Sequence, residues 1–296
     1  MRRIGIVGSD NSHAVAYSRL VNRERIVGDE AQVVAIWGQD PARTAEVAEL
    51  GAIPRIVPEV ADLLGEVDLV FVVDRHGDLH RDHALPFLEA SIPTYVDKPL
   101  AIALDDCRQV IAAARRTGTF LSSMSSLRIT PETAALAARL PDLGDIRAVQ
   151  LAGPADPASI YGGLIFYATH TIEIALRLLG DDLREVRAHR VGPTIVVDGT
   201  WAGDRQATLT LLSAAHYCFH ATVFGTDGFL ATEIHAGDDG YTEIVRTVLQ
   251  AVADDRWPLD EHQLLLPVAT VHAIEASLAA DGAPVSLASI LGETAS

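Results

Sequence analysis

The first third of the chain alternates short β-branched runs with segments of helical pattern, and this alternation constrains the fold more than any other feature. Such a rhythm marks βαβ units, in which parallel strands are joined by helices that cover the sheet. Strands are predicted at residues 3–7, 32–37, 67–73 and 94–96. Asp40-Pro41 opens a helix with a capping carboxylate and a proline at the first helical position, and Gly51 closes it. A short helix is predicted around 58–64. A longer one covers 104–117, with Cys107, Val110, Ile111 and Ala114 on one face, Arg115 and Arg116 in the last turn, and Gly118 as its stop.

After about residue 122 the pattern changes to longer helices mixed with longer strands, which predicts a second, α+β domain. Strands are expected at 145–151, 185–191, 194–197, 206–213 and 216–224, several with period-two alternation. Helices are expected at 161–179 and 241–253, although Gly162 and Gly163 weaken the start of the first. The 296 residues suit two domains, taken as 1–121 and 122–296.

A formal charge of -17 argues against partners bound through their phosphates, because nucleic acid and anionic membranes attract the opposite sign. A small-molecule substrate fits better. Cys107 and Cys218 are far apart and form no C-x-x-C pair, so neither a disulfide framework nor a thiolate zinc site is expected, and a reducing cytoplasm is the expected setting. The apolar stretch at the start breaks at Gly8, Ser9 and Asp10, too soon for a signal segment, and no apolar run approaches the roughly 20 residues that span a bilayer.

The turn between the first strand and the following helix runs from Gly5 to Ala14. In a dinucleotide site such a turn offers backbone N–H groups and a helix N-terminus to a pyrophosphate. Against G-x-G-x-x-G only Gly8 is in place; Asp10 and His13 hold the second and third positions. Ser9, Asp10, Asn11 and Ser12 are the candidate contacts, and a capped turn without a nucleotide is the competing reading. The Asp10 carboxylate opposes a phosphate unless it turns away to cap the helix. After the second strand, where an acid would meet a ribose 2′-OH, stand Gly38 and Gln39, with Asp40 only later. If Asp40 is a cap, Arg43 can face a 2′-phosphate. NAD and NADP therefore both remain open.

The run from Val67 to Ile102 has at its centre Asp97-Lys98-Pro99, close to a Glu-Lys-Pro signature at the end of a nucleotide-binding strand. Tyr161 to Gly180 follows the pattern of a glycine-led helix carrying Asp-x-Gly-x-His-x-x-Asp. With the segment TVFGTDGFL and the helical end after Ile244, nearly the whole chain resembles the glucose-fructose oxidoreductase, inositol dehydrogenase and rhizopine-catabolism (Gfo/Idh/MocA) family. The resemblance implies an α/β fold: an N-terminal Rossmann-fold parallel sheet and a C-terminal α+β domain with an open-faced mixed sheet. It also implies NAD or NADP as cofactor and homo-oligomers formed through the C-terminal sheet. The expected reaction transfers a hydride between nicotinamide and a sugar, polyol or related small oxygenated substrate.

Carried over by position, Lys98 matches the lysine that contacts nicotinamide ribose and substrate hydroxyl, and His170 matches the acid/base histidine. Asp74 and Asp97 join the cofactor-side candidates. Phe166 stands where the family often has aspartate, Ala168 replaces the glycine, and Glu173 replaces the second aspartate. Asp74-Arg75-His76-Gly77 occupies a loop that is usually Ala-Thr-Pro-Asn. These departures keep two alternatives open: a non-redox enzyme that uses tightly bound NAD transiently, and a cofactor-binding regulator without turnover.

Removing a hydroxyl proton during hydride transfer calls for a base working near neutrality, which suits His170. Lys98, directly after an apolar strand, suits polarisation of the substrate oxygen. Tyr167 is a secondary proton-transfer candidate, and packing is its plainer role. His76, His80 and His83 alternate with Asp74, Asp78 and Asp82, but they fall in the loop and helix of the resemblance, so no metal is expected. His216 and His220 are expected on one strand face as packed or solvated residues.

Overall fold

The computed structural model describes residues 1–293. By its contacts the chain forms two units: Met1–Met124 with Gly237–Leu264, and Ser125–Ala236 with the residues from Leu265 onward.

The first unit contains strands β1 (Arg2–Val7), β2 (Ala31–Trp37), β3 (Arg55–Ile56), β4 (Leu69–Val72), β5 (Thr94–Val96) and β6 (Leu121–Ser122). They form one parallel sheet in the order β3-β2-β1-β4-β5-β6. Its helices are α1 (Ser12–Ser18), which continues as a π-helical turn over Arg19–Arg23, α2 (Pro41–Leu50), α3 (His80–Glu89) and α4 (Leu104–Thr117). All four residues of β4 are buried, as expected of a parallel strand covered on both faces. Strand order reverses between β1 and β4, and the carboxyl ends of strands at such a switch point form the ligand crevice of open α/β sheets.

Local signals act as expected here. Asp40 caps α2, accepting from Ala42 N at 2.8 Å and Arg43 N at 3.1 Å. Helix α4 buries Cys107, Val110, Ile111 and Ala114, places Asp105 and Asp106 in its first turn and Arg115 and Arg116 in its last, and stops at Gly118 in the left-handed region. Burial pushes the Cys107 thiol up to about 12, which keeps it protonated and unreactive.

The second unit contains α5 (Pro131–Ala138), β7 (Ile146–Pro154), α6 (Ile165–Leu179), β8 (Leu183–Val191), β9 (Thr194–Trp201), β10 (Gln206–Leu212), β11 (Phe219–Gly225) and β12 (Gly228–Ile234). Helix α7 (Asp238–Ala253) belongs to the first unit. Helix α8 (Glu261–Ala279) begins there and continues into the second, followed by β13 (Val285–Ser286) and α9 (Leu287–Leu291). The sheet order is β12-β11-β7-β10-β9-β8-β13, with β7 and β10 parallel and the other pairs antiparallel. The result is the mixed sheet that the resemblance implies.

Register defines two faces of this sheet. Ala221, Leu151, Leu209, Val197 and Ala188 lie side by side across it and are buried, with α6 packed on β7 and β10. Ser277 of α8 accepts from Ala188 N at 2.9 Å. The adjacent row, Thr222, Gln150, Thr208, Asp198 and Arg187, points the opposite way and is polar and accessible.

Several boundaries depart from the sequence expectation. The helix expected from residue 161 starts at Ile165, because Gly162 and Gly163 adopt φ of 98° and 69°. The strand expected from 216 starts at Phe219, leaving His216 outside it, so His216 and His220 do not share a strand face. Strand β12 and helix α5 were not anticipated. The cut at 121/122 lies near the first crossing between units at 124/125, but residues 237–264 return to the first unit. They do so because α7 packs on α1, with Tyr241 against His13 and Tyr17 and Asp238 paired with Arg19 at 2.6 Å. Among the described residues no helix is long and apolar enough to cross a membrane.

Candidate active site

At the end of β1, Gly8 has φ of +97°, and a Cβ there would lie 2.6 Å from the backbone nitrogen of Asp74. Only glycine permits this approach of the turn to the end of β4. Gly38, after β2, is equally constrained, since a Cβ would overlap Ser9 Oγ and Thr44 Oγ1. Ser9 is buried with its hydroxyl 2.9 Å from Thr44 Oγ1. Asp10 does turn away from the helix, but it accepts from Arg75 N at 3.1 Å rather than capping. Asn11 is the cap of α1, accepting from His13 N at 3.3 Å.

Among the described residues no chain partner is found for the backbone N–H groups of Ser9, Asp10, Asn11 and Ser12. Donors at a helix N-terminus, with the Asp10 carboxylate satisfied elsewhere, fit the pyrophosphate of a dinucleotide.

Around this turn the side chains are tied together. Gln39 Nε2 donates to Asp74 Oδ1 at 2.5 Å, and His83 Nδ1 lies 2.8 Å from Asp74 Oδ2, which occupies both oxygens of that buried carboxylate. Arg43 Nε donates to the Ser9 carbonyl at 3.2 Å. With Asp40 engaged in capping, no carboxylate at the end of β2 is left over for a ribose hydroxyl. His80 is buried with Nε2 2.9 Å from the Asp74 carbonyl and Nδ1 2.7 Å from the Pro99 carbonyl. Carbonyls only accept, so ring N–H donation clamps the end of β4 to the segment after Lys98. His76 accepts from Asp78 N at 3.3 Å. The three histidines thus serve separate hydrogen bonds, and among the described residues no group of three or more His, Cys, Asp or Glu could hold a metal ion.

At the end of β5, Asp97 and Lys98 are 2% and 6% exposed. Asp97 Oδ2 lies 2.7 Å from His13 Nδ1 and accepts from Asn11 Nδ2 at 3.4 Å. Burial alone would raise the Asp97 carboxyl. The charge and hydrogen bond of His13, with Lys98 and His80 nearby, outweigh it and hold Asp97 well below the usual carboxylate range. The third glycine position is therefore filled by a histidine that locks α1 to the strand carrying Lys98.

In the second unit, His170 lies on α6 and is 8% exposed. Its Nδ1 is 2.6 Å from Ser125 Oγ, and its ring meets the edge of Phe219 with centroids 5.7 Å apart. Ser125 N donates to Glu173 Oε1 at 2.7 Å, and Arg128 lies 3.8 Å from Glu173 and 3.7 Å from Asp181. Sequence reasoning missed Ser125 and Arg128. They sit in SSMSSLRIT, a run of small polar residues that has no motif of its own. Phe166, where the family often has aspartate, packs between Tyr161 and Tyr167 at 5.1 and 4.7 Å. Tyr217 touches Tyr167 and Phe219 and is 52% exposed, so an aromatic group extends from His170 to solvent.

Lys98 and the proposed phosphate-binding turn lie in the first unit, and His170 with its neighbours in the second. Residues 2–124 match the Gfo/Idh/MocA family, described as an oxidoreductase family with an NAD-binding Rossmann fold. The trans-1,2-dihydrobenzene-1,2-diol dehydrogenase of Danio rerio is 26% identical over 244 residues, covering 75% of this chain and 72% of that protein. Inositol 2-dehydrogenase 3 of Saccharopolyspora erythraea is 29% identical over 127 residues, 43% of this chain and 36% of its own length. A putative myo-inositol dehydrogenase from Sinorhizobium meliloti 1021 superposes with a TM-score of 0.84 at 18% identity, over 97% of this chain and 100% of its own. The scyllo-inositol dehydrogenase of Lactobacillus casei, solved with NAD(H) and scyllo-inositol, gives 0.84 at 13% identity over 97% and 99%. The structural likenesses show the shared two-domain fold, and residues 2–124 match the nucleotide-binding part of the Gfo/Idh/MocA family of oxidoreductases.

Proposed function

We propose that the chain is an NAD- or NADP-dependent dehydrogenase or reductase whose substrate is a secondary alcohol, or the matching carbonyl, of a small cyclic polyol, sugar or related compound. The observation that carries this is the tie between the glycine turn and the strand-end lysine. His13 and Asn11 of the first turn of α1 both hold Asp97, so Lys98 follows directly from a residue fixed to the phosphate-binding segment. The bound nicotinamide supplies the hydride acceptor or donor. Lys98 donates a hydrogen bond to the substrate oxygen and stabilises its alkoxide character. His170 takes the hydroxyl proton in oxidation and returns it in reduction.

Phe166 removes a carboxylate that would otherwise bind a substrate hydroxyl, and Tyr161, Tyr167 and Tyr217 supply ring faces against which the C–H face of a cyclic substrate can stack. Inositol and dihydrobenzenediol, named for the relatives above, are both hydroxyl-bearing six-membered rings. Calorimetric titration with oxidised and reduced NAD and NADP, followed by a panel of cyclic polyols and diols monitored at the nicotinamide absorbance, tests the proposal. Binding of at least one dinucleotide and turnover of at least one ring alcohol is expected. Failure of all four dinucleotides to bind at millimolar concentration would overturn it.

A further inference from the structure

We propose that Ser125 is a positioning residue for His170, holding the neutral ring with its hydrogen on Nε2 and its Nδ1 lone pair turned to the serine. The inference rests on the acid/base role given to His170 above only for its catalytic consequence.

The proton assignment follows from the contacts of one oxygen. Ser125 Oγ is buried, lies 2.6 Å from His170 Nδ1, and accepts from Leu127 N at 3.1 Å. A hydroxyl has one hydrogen to give and two lone pairs to fill. The Leu127 N–H takes one lone pair. Among the described residues Nδ1 is the one acceptor within reach of the Ser125 hydrogen. If the neutral ring carried its hydrogen on Nδ1, the bond would reverse and the buried Ser125 O–H would be left without an acceptor, an outcome that costs more than either hydrogen bond gains. The ring is therefore held with Nδ1 accepting, and which nitrogen carries hydrogen is set by the bond its partner makes. When the ring is charged, Nδ1–H donates to the second lone pair of the same oxygen, and the Ser125 hydrogen then loses its acceptor.

The serine is itself fixed. Its N–H is held by Glu173, which lies beside Arg128, and Arg128 lies beside Asp181, so the oxygen that reads Nδ1 is anchored through the main chain. The consequence for chemistry is specific. In the neutral form with Nδ1 accepting, Nε2 carries the ring hydrogen and can only donate. The form able to take a proton at Nε2, with hydrogen on Nδ1, is the minor one, and Ser125 sets how minor.

The test is nitrogen NMR of the full, cofactor-free chain labelled at the histidine ring nitrogens, with His170→Asn used to assign the His170 signals, recorded on the neutral ring. The wild type is expected to show Nε2–H as the main form. Ser125→Ala should move the ratio about tenfold toward Nδ1–H, and Ser125→Thr, which keeps the hydroxyl, should restore it. Ser125→Cys, which keeps the volume but weakens the bond, gives the same reading should the alanine variant not fold. A wild type mainly in the Nδ1–H form, or a ratio unchanged in the alanine and cysteine variants, would overturn the proposal. A changed ratio together with normal hydride transfer in His170→Asn would uphold the Ser125 pairing and remove only the catalytic role of His170.

Discussion

His13 Nδ1 lies 2.7 Å from Asp97 Oδ2, which joins the first turn of α1 to the strand end that carries Lys98. Removing one partner of a buried pair leaves the other uncompensated, at a cost of about 3 kcal/mol or more. Asp97→Asn is thus expected to lower the thermal midpoint clearly at neutral pH. The folded carboxyl is held below its unfolded value, so its contribution is present above the ordinary carboxylate range near pH 4 and is lost as pH falls through the folded value. The gap between wild type and variant should therefore narrow below about pH 4. Thermal melts of both proteins from pH 7 down to pH 3 check this, and a gap that stays constant would contradict the pairing.

The periodic signals were legible because each rests on local physics. Asp40-Pro41 is a cap followed by a residue with preset φ, and the amphipathic spacing of Cys107, Val110, Ile111 and Ala114 defines the buried face of α4. Lys98 and His170 became candidates through resemblance of the residues around them. Ser125 was not, because a serine acquires meaning only when the fold brings a histidine 45 residues away to its oxygen. The role of His13 was hidden for the same reason: it looked like a defect in the glycine pattern until Asp97 was placed beside it. The return of α7 to the first unit is likewise a long-range packing choice, made by Tyr241 and Asp238, that periodicity does not encode.

The end of β2 leads to a prediction about cofactor choice. Gln39 and Asp40 are committed to Asp74 and to the α2 cap, while Arg43 lies against the Ser9 carbonyl and pairs with Glu46 at 2.6 Å. With no free acid to repel a 2′-phosphate and a guanidinium at hand, Arg43→Ala is expected to weaken NADP binding about tenfold, as suits a hydrogen bond to a charged group, and to leave NAD binding within about twofold. Calorimetry with both cofactors on both proteins decides it. An equal loss for the two would show that Arg43 does not meet the 2′ position.

The accessible face of the second sheet is the surface expected to join copies of the chain. Ala152, Thr210 and Val196 lie side by side in register on that face, and all three are only partly exposed. An arginine introduced there would be desolvated without a partner in a face-to-face assembly. Thr210→Arg is expected to reduce the molar mass measured by light scattering to that of a single chain while the far-UV spectrum is unchanged. A wild type already of single-chain mass, or a variant that keeps the assembly, would exclude this face.

The central claim is that His170 moves a proton while hydride passes between substrate and nicotinamide. Asparagine is close in size and still forms hydrogen bonds, but it takes no proton near neutrality, so His170→Asn separates proton transfer from packing. The measurement is single-turnover hydride transfer, followed at the nicotinamide absorbance, on wild type and variant with matched thermal midpoint and cofactor affinity. Loss of a general acid/base predicts a rate lower by about 100- to 10,000-fold with cofactor affinity nearly unchanged. A folded variant that transfers hydride at close to the wild-type rate would contradict the account.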